Sequence, residues 1–269
     1  MIKLLAIDMD GTCLNQRSRI TPAVLQALTA AHRAGIEIVP TTGRALCCLP
    51  HQLAAHPELY RYAITSNGAR VTELSDHSTL FRAEIPKNMA LELTKSLQDS
   101  HIGRTAHIDH QYLVEGHPLH AMGRMVYGKD ANTSRCIPDL FEEIKAENRD
   151  VEELQFFFFS PKTRQAVGDA LKRFPELCGA YSGVYVEIFH RTASKGSGLA
   201  ALAAQLGLRK EEVACIGDGE NDHPMFWAAG LRFAMGNAVD SLKAAADVVL
   251  PSNREDGMAA AINDHVLHK

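Results

Sequence analysis

Asp8 and Asp10 lie one residue apart, directly after the apolar run Leu4-Leu5-Ala6-Ile7 and before Gly11-Thr12. A short continuous apolar run of this kind reads as a fully buried strand, so the two acids stand at a strand's carboxyl end. Carboxylates this close repel one another unless a cation or unequal proton states answer the repulsion. Other groups of chemical interest fall at equivalent places. Thr41, Thr42, Gly43 and Arg44 follow the strand-like "IEIVP", and Asn67-Gly68 follow "YAIT". "GDGENDHPM", which follows "VACI", supplies Asp218, Asn221 and Asp222, and Lys195 opens the helical pattern before that strand. Ligands of open parallel α/β sheets bind at the carboxyl ends of the strands, so these acids, hydroxyls, glycines and one amine are expected to meet on one edge.

That set suits a divalent metal together with a phosphate. Mg²⁺ takes oxygen ligands in near-octahedral geometry, commonly one or two carboxylates plus phosphate oxygens. Asp8 and Asp218, held by strand ends, are the expected ligands, and a 2+ ion beside them favours their ionised forms. Donors for a phosphate dianion are the Thr42 hydroxyl, backbone N–H groups at Met9 and Gly43, the Asn221 amide and the Lys195 ammonium. The two-residue spacing of the first acids separates their roles. Asp8 at the strand tip can attack phosphorus. Asp10, on the turn beyond, can protonate the leaving oxygen and then activate water. Gly11 lets the chain swing away, and Thr12 is expected to bond locally within the turn.

These positions require particular elements. Lys3 to Ile7, Ile36 to Pro40 and Tyr62 to Thr65 read as strands, and a helix begins at Thr21-Pro22 and stops at Gly35. A helical stretch is expected between the second and third strands. The last third repeats the grammar: a helix over Lys195 to Leu206, the strand Val213 to Ile216, a helix over Asn221 to Ala229, the short strands "LRFA" and "DVVL", and a final helix. Strand–helix–strand spacing implies a parallel sheet with helices on both faces. The middle is mixed, with helices expected at Lys87 to Gln98 and Pro161 to Phe174. Strand-like runs occur at "RTAHID", "QYLVEG", "LQFFFF" and "VYVEIF", the first two able to pair across Asp109-His110. The expected fold is α/β: a Rossmannoid, doubly wound parallel-sheet core over residues 1–84 and 191–269, with an inserted α+β cap domain over 85–190.

Composition sets the outer limits. The chain has 269 residues, 46% hydrophobic and 22% charged, with 32 acids against 28 bases and a net charge of −4. This balance gives no reason to expect nucleic acid or an anionic membrane as partner, and no apolar run approaches the roughly 20 residues of a membrane span. The apolar start is too short for a signal-peptide core and is interrupted by Asp8, so a cytoplasmic location is expected. Six scattered cysteines without a CxxC pair read as buried or bystander thiols rather than a disulfide framework.

Taken together, "AIDMDGT", "TTGR", "SNGA", "SKGSGL", "IGDGENDHPM" and "AMGNA" resemble the signature set of the haloacid dehalogenase-like hydrolases, in particular the Cof-type, subclass IIB phosphatases. The resemblance covers Ile2 to about Ala69 and about Ser194 to the last residue; the middle matches in position and rough composition. It implies a cap inserted after the third strand and Mg²⁺-dependent hydrolysis of phosphate monoesters such as sugar phosphates. Asp8 would be the nucleophile, forming an aspartyl-phosphate, and Asp10 the general acid/base. Thr42, Gly43, Lys195 and Asn221 would hold phosphate. The metal would sit on Asp8, the Asp10 backbone carbonyl and Asp218, with Asp222 close by. Met9, Cys13 and His223 depart mildly from the usual pattern, and His223 is expected to face the surface. Asp10 argues against a dehalogenase, which has no alkoxide to protonate. Phosphomutase action on a phosphosugar and a non-catalytic phospho-ligand sensor are the alternatives, and a monomer or a homodimer is equally compatible.

The expected cap closes over the site and contacts the leaving group. It holds His101, His107, His110, His117 and His120, read as loop histidines rather than a zinc site, since no acid or cysteine completes a ligand pattern. "QFFFF" places aromatics on both faces of a strand, so both faces are expected to be covered, chiefly by packing within the cap.

Overall fold

The computed structural model describes residues 1–268. In chain order the first elements are β1 (Leu4–Asp8), α1 (Pro22–Arg33), β2 (Glu37–Thr41), α2 (His51–Ala54), β3 (Tyr62–Thr65), β4 (Arg70–Glu73) and β5 (Thr79–Arg82). Then come α3 (Lys87–Ser96), β6 (Ile102–Ile108), β7 (Gln111–Glu115), α4 (His117–Tyr127), β8 (Arg135–Ile137), α5 (Leu140–Ala146), β9 (Glu153–Phe158), α6 (Pro161–Leu171), β10 (Leu177–Tyr181) and β11 (Tyr185–His190). The last are α7 (Lys195–Gln205), β12 (Val213–Gly217), α8 (His223–Ala228), β13 (Leu231–Ala234), α9 (Asp240–Ala245), β14 (Val248–Val249) and α10 (Gly257–Ala261). The chain divides into two compact units. One comprises Met1–Gly43, Pro50–Arg82 and Ser194–Lys269; the other comprises Arg44–Leu49 and Ala83–Ala193.

The first unit is built on an eight-stranded sheet in the order β14-β13-β12-β1-β2-β3-β4-β5. It is parallel from β14 to β3, with β4 and β5 added antiparallel. β1 is central, paired with β12 through Ala6↔Cys215 and with β2 through Asp8↔Thr41. The chain leaves β1 on the β2 side and later returns on the β12 side, so the strand order reverses beside Asp8, the place where open α/β sheets bind ligands. Leu4, Leu5, Ala6 and Ile7 are fully buried, each large aliphatic contributing about 1.5–3 kcal/mol by leaving water. That anchoring fixes where Asp8 points.

α1 starts as its sequence requires: the Thr21 hydroxyl accepts the Val24 N–H, Pro22 occupies the first turn, and Gly35 at φ +80° ends the run. Between β2 and β3 the expected helix is three short pieces, the 3-10 turns Leu46–Cys48 and Pro57–Leu59 and the single turn α2. β4 and β5 were not evident in the sequence, and the insertion follows β5 rather than the third strand. Ser66 and Asn67 at φ 49° and 53°, then Gly68 at +88°, turn the chain straight back into a strand that pairs Thr65↔Arg70.

The second unit carries a six-stranded sheet, β10-β11-β9-β6-β7-β8, antiparallel except for β7–β8. β6 and β7 pair across Asp109-His110, both at positive φ, as a two-residue hairpin of this kind requires. Ala90 and Leu93 of α3, Leu140 and Ile144 of α5 and Val167 of α6 form one apolar core with Leu154, Phe156 and Ile188 of the sheet. Four helices stand where two were expected: α5 has only seven residues in which to show a period, whereas α4, at eleven residues as long as α6, follows directly on β7 and was passed over. Arg44–Leu49, read from the sequence as core, groups with this unit. Its ties are Arg44 Nη1 to Asp130 Oδ2 at 2.8 Å and the Cys47 N–H to the His110 carbonyl at 3.0 Å.

The phenylalanine run departs from expectation. Phe156 is fully buried, but Phe159 lies beyond β9 and is 59% exposed. Phe158 instead stacks near Tyr181, with the Arg164 guanidinium 5.6 and 5.1 Å from the two ring centres. The histidines are not a loop set either. His107 is buried in β6, where loss of solvent pulls its pKa down to about 4, and His117 and His120 lie on α4.

Candidate active site

Asp8 ends β1 with its side chain 7% exposed. Lys195 opens α7, whose start is fixed by a reciprocal cap: the Ser194 hydroxyl accepts the Ser197 N–H at 2.9 Å, and the Ser197 hydroxyl accepts the Ser194 N–H at 2.9 Å. Gly196 permits this start to pack closely, since a Cβ there would lie 2.1 Å from the Pro224 carbonyl oxygen. The buried Lys195 Nζ donates to Asp8 Oδ1 at 2.6 Å and to Asp222 Oδ1 at 2.6 Å. Asp222 Oδ2 accepts the backbone N–H groups of Asp218 at 2.8 Å and Gly219 at 2.9 Å. Both oxygens of Asp222 are therefore engaged within the fold, and Asp222 holds the ammonium and the Asp218 loop in place.

Asp218 follows β12. Its Oδ1 accepts the Thr12 hydroxyl at 2.7 Å, and its Oδ2 lies 3.4 Å from Asn237 Nδ2, which also donates to the Gly11 carbonyl at 2.8 Å. Thr12 thus does not serve its own turn, as expected from the sequence; it reaches a carboxylate 206 positions away. Gly11 has φ +89°, and a Cβ on it would fall 2.2 Å from Asp218 Oδ2, so the turn can carry no side chain there. Asn237 was not singled out from the sequence, although it belongs to "AMGNA".

The remaining groups come from three loops. Thr42 is buried; its N–H bonds the Ile64 carbonyl at 2.9 Å, and its own carbonyl accepts the Asn67 N–H at 3.1 Å. Asn67 Oδ1 accepts Asn221 Nδ2 at 3.1 Å, and a Cβ on Gly43 would lie 3.0 Å from the same oxygen. Asn67 therefore ties the loop after β2 to the loop after β12, a role unassigned from the sequence. Gly68 lets β3 meet the start of α7, where a Cβ would lie 1.9 Å from the Ser194 carbonyl oxygen. Met9 buries its side chain, and its carbonyl accepts the Leu14 N–H at 2.9 Å. Asp10 is exposed on the turn beyond. His223 lies 3.6 Å from Glu220 across one turn.

The electrostatics are those of a crowded acid cluster. Burial, then the charges of Asp222 and Asp218, push the Asp8 carboxyl well above the usual carboxylate range despite Lys195. Burial and the Asp222 charge likewise raise Asp218. Burial opposes the Lys195 ammonium, but Asp222 and Asp8 outweigh it and hold its pKa above the ordinary lysine value. Ligand oxygens of Asp8, Asp218 and Asp222 lie within 4.8 Å of one another. At an effective dielectric of about 20, each such pair of charges repels by about 3.5 kcal/mol. One ammonium offsets part of this, and a divalent cation on oxygen ligands fits the remainder.

A parallel-rich sheet reversing order beside a strand-end aspartate, with a second α/β unit inserted in the chain, defines a class of fold and site. The haloacid dehalogenase-like hydrolase family matches residues 5–262. The chain belongs to that family, and its architecture is that of the subclass IIB phosphatases. It is 30% identical to YxeH of Bacillus subtilis, with all of both chains covered. It is 27% identical to the pyridoxal phosphate phosphatase YbhA of Escherichia coli, covering 98% of this chain and 99% of the relative. The subclass IIB sugar phosphatase BT4131 shares the fold at a TM-score of 0.81 and 24% identity, covering 98% of this chain and 99% of that one. Among the described residues no helix is long and apolar enough to cross a membrane.

Proposed function

We propose that this protein is a Mg²⁺-dependent phosphatase that hydrolyses small phosphate monoesters, sugar phosphates or similar metabolites, through an aspartyl-phosphate on Asp8. The observation that carries the reading is the Asp8–Lys195–Asp222 chain beside Asp218. It holds a strand-end carboxylate rigidly beside one buried cation and one further carboxylate. The match of YbhA over nearly the whole chain supports a small phosphorylated substrate.

Asp8, the Asp10 backbone carbonyl and Asp218 are the proposed metal ligands, with Asp222 acting from behind through Lys195 and the Asp218 loop. When bound, the metal neutralises charge on the carboxylates and on the transferring phosphoryl group. Thr42, the backbone N–H groups of Met9 and Gly43, the Asn221 amide and the Lys195 ammonium hold the phosphoryl oxygens. An Asp8 carboxylate oxygen attacks phosphorus as the ester oxygen departs, and Asp10 gives that oxygen its proton. Asp10, now a carboxylate, takes a proton from water, whose oxygen attacks the phosphorus of the acyl phosphate. Inorganic phosphate leaves, and Asp8 returns as a carboxylate. The exposed turn suits Asp10, because it meets both leaving group and water.

The test is phosphate release by the purified chain across a panel of phosphate esters with Mg²⁺. Turnover that stops on chelation and is abolished in Asp8→Asn, with phosphate trapped on the Asp8 peptide after rapid quench, is expected. Undiminished turnover in Asp8→Asn refutes the covalent mechanism. Isomerised phosphosugar without net phosphate release would make the protein a mutase.

A further inference from the structure

Cys47 and Cys48 stand on the 3-10 turn Leu46–Cys48 with their Sγ atoms 3.6 Å apart. Both are half-buried. The backbone beneath them is clamped at each residue. The Cys47 N–H donates to the His110 carbonyl at 3.0 Å, and the Cys47 carbonyl accepts the Thr133 hydroxyl at 2.5 Å. The Cys48 carbonyl accepts Arg44 Nη1 at 3.2 Å, a guanidinium itself held by Asp130 at 2.8 Å. These backbone contacts keep the two thiols facing each other.

The pair is unequal. The Cys48 S–H, then the Tyr112 backbone N–H, stabilise the Cys47 thiolate against the cost of burial and bring its pKa down to about 7. The Cys48 thiol is correspondingly raised, by the hydrogen bond with Cys47, by burial and by the Cys47 charge. The other cysteines lack this arrangement. Burial raises Cys13 and Cys215, and Cys136 Sγ lies 3.5 Å from the His117 ring nitrogen.

We propose that Cys47 and Cys48 are a vicinal dithiol that reacts with low-molecular-weight disulfides and closes reversibly to an intramolecular disulfide, Cys47 attacking and Cys48 resolving. The Cys47 thiolate attacks one sulfur of the small disulfide, forming a mixed disulfide and expelling a thiolate, which takes up the Cys48 proton. The Cys48 thiolate then attacks Cys47 Sγ, forming the intramolecular bond and expelling the second small thiolate, which is protonated from solvent. Two protein thiols are oxidised and one small disulfide is reduced to two thiols. Neighbouring Cα atoms lie about 3.8 Å apart, shorter than the usual disulfide range of about 4.4–6.8 Å, so mild thiol reductants are expected to reopen the ring.

Oxidised glutathione is the probe, read by peptide mapping after rapid alkylation. The wild-type chain should lose two thiols, with two hydrogens missing from the peptide carrying Cys47-Cys48, and dithiothreitol should restore both. Cys48→Ser should stop at a glutathione adduct on Cys47, and Cys47→Ser should leave Cys48 unmodified. Iodoacetamide at pH 7 should label Cys47 faster than it labels the cysteine of an unstructured peptide, whose thiol has the ordinary value near 8.5. The thiolate fraction rises about fifteenfold between a pKa of 8.5 and 7, and the lower basicity returns about fivefold, leaving about threefold. Thermal unfolding of both serine variants confirms that each is folded before it is scored. A persistent glutathione adduct on wild-type Cys47, or oxidation that maps first to Cys136 or Cys178, overturns the proposal.

Discussion

Replacing Lys195 by methionine tests the site at its centre. The ammonium makes two hydrogen bonds of 2.6 Å to carboxylates whose side chains are 7% and 1% exposed. Methionine fills the space but leaves Asp8 and Asp222 buried without a cation. Removing one partner of a buried ion pair costs about 3–5 kcal/mol, most of it the penalty on the charge left behind. For a unit of this size about 2–4 °C is lost per kcal/mol, so the unfolding transition in EDTA should fall by about 6–20 °C. If the cost is an uncompensated carboxylate, Asp222→Asn in the same chain should recover part of it. The carboxamide oxygen of that variant can still accept the Asp218 and Gly219 N–H groups, and the double-mutant cycle should show a coupling of about 1–3 kcal/mol. The sign with pH is also fixed. Asp222 and Asp8 outweigh burial and raise Lys195, so its contribution is complete below the unfolded value near 10.4 and is lost only as pH rises through the higher folded one. The Lys195 ammonium therefore stays charged throughout pH 6 to 9, and the penalty of Lys195→Met should grow with pH as the raised Asp8 carboxyl ionises. Scanning calorimetry of the four proteins measures each quantity. Additive effects within about 0.5 kcal/mol, or a single-variant loss below about 1 kcal/mol, refute the reasoning.

Two further outcomes follow from the same geometry. Asp10→Asn should slow formation of the aspartyl-phosphate, read in a rapid-quench burst, by about 10²–10⁴ with alkyl phosphates but far less with p-nitrophenyl phosphate, whose leaving group needs no proton, while hydrolysis of the intermediate slows equally for both; equal losses in the burst step would remove Asp10 as the acid. In the metal-free fold, burial raises Asp8 and Asp218, so the stability they contribute is full below their unfolded values near 3.9 and is lost as pH climbs through the raised ones. Mg²⁺ stabilisation should therefore grow from pH 5 to pH 8, reaching about 2.7 kcal/mol at a hundredfold excess over Kd; a thermal shift of the same size at both pH values would refute metal binding at this cluster.

The sequence carried the parallel sheet because its signals are local. Leu4 to Ile7 is a continuous apolar run, Thr21-Pro22 caps a helix, and Gly35 ends it. The hairpin β6–β7 was legible through its two-residue turn. β4 and β5 were not, since neither has a strong period and both depend on the left-handed turn at Ser66-Asn67. The seven-residue α5 failed for want of a period, whereas the eleven-residue α4 was missed despite its length. The aromatic run misled at its end, because exposure of Phe159 depends on where β9 stops and on nothing in residues 155–159 themselves.

The candidate residues divide in the same way. Identity and order placed Asp8, Asp10, Thr42, Lys195, Asn221, Asp218 and Asp222 at strand ends or helix starts, because residue chemistry and periodicity are written in the chain. What each carboxylate does was decided by packing. Only the folded sheet brings Thr12 to Asp218, Asn67 to Asn221, and Lys195 between Asp8 and Asp222. These pairs lie between 154 and 206 positions apart except for the 27 that separate Lys195 from Asp222. The facing of Cys47 and Cys48 likewise rests on contacts from His110, Thr133 and Asp130. The chain alone states which groups stand at its turns; the distance between them, and so the charge each must bear, exists only once the strands have aligned.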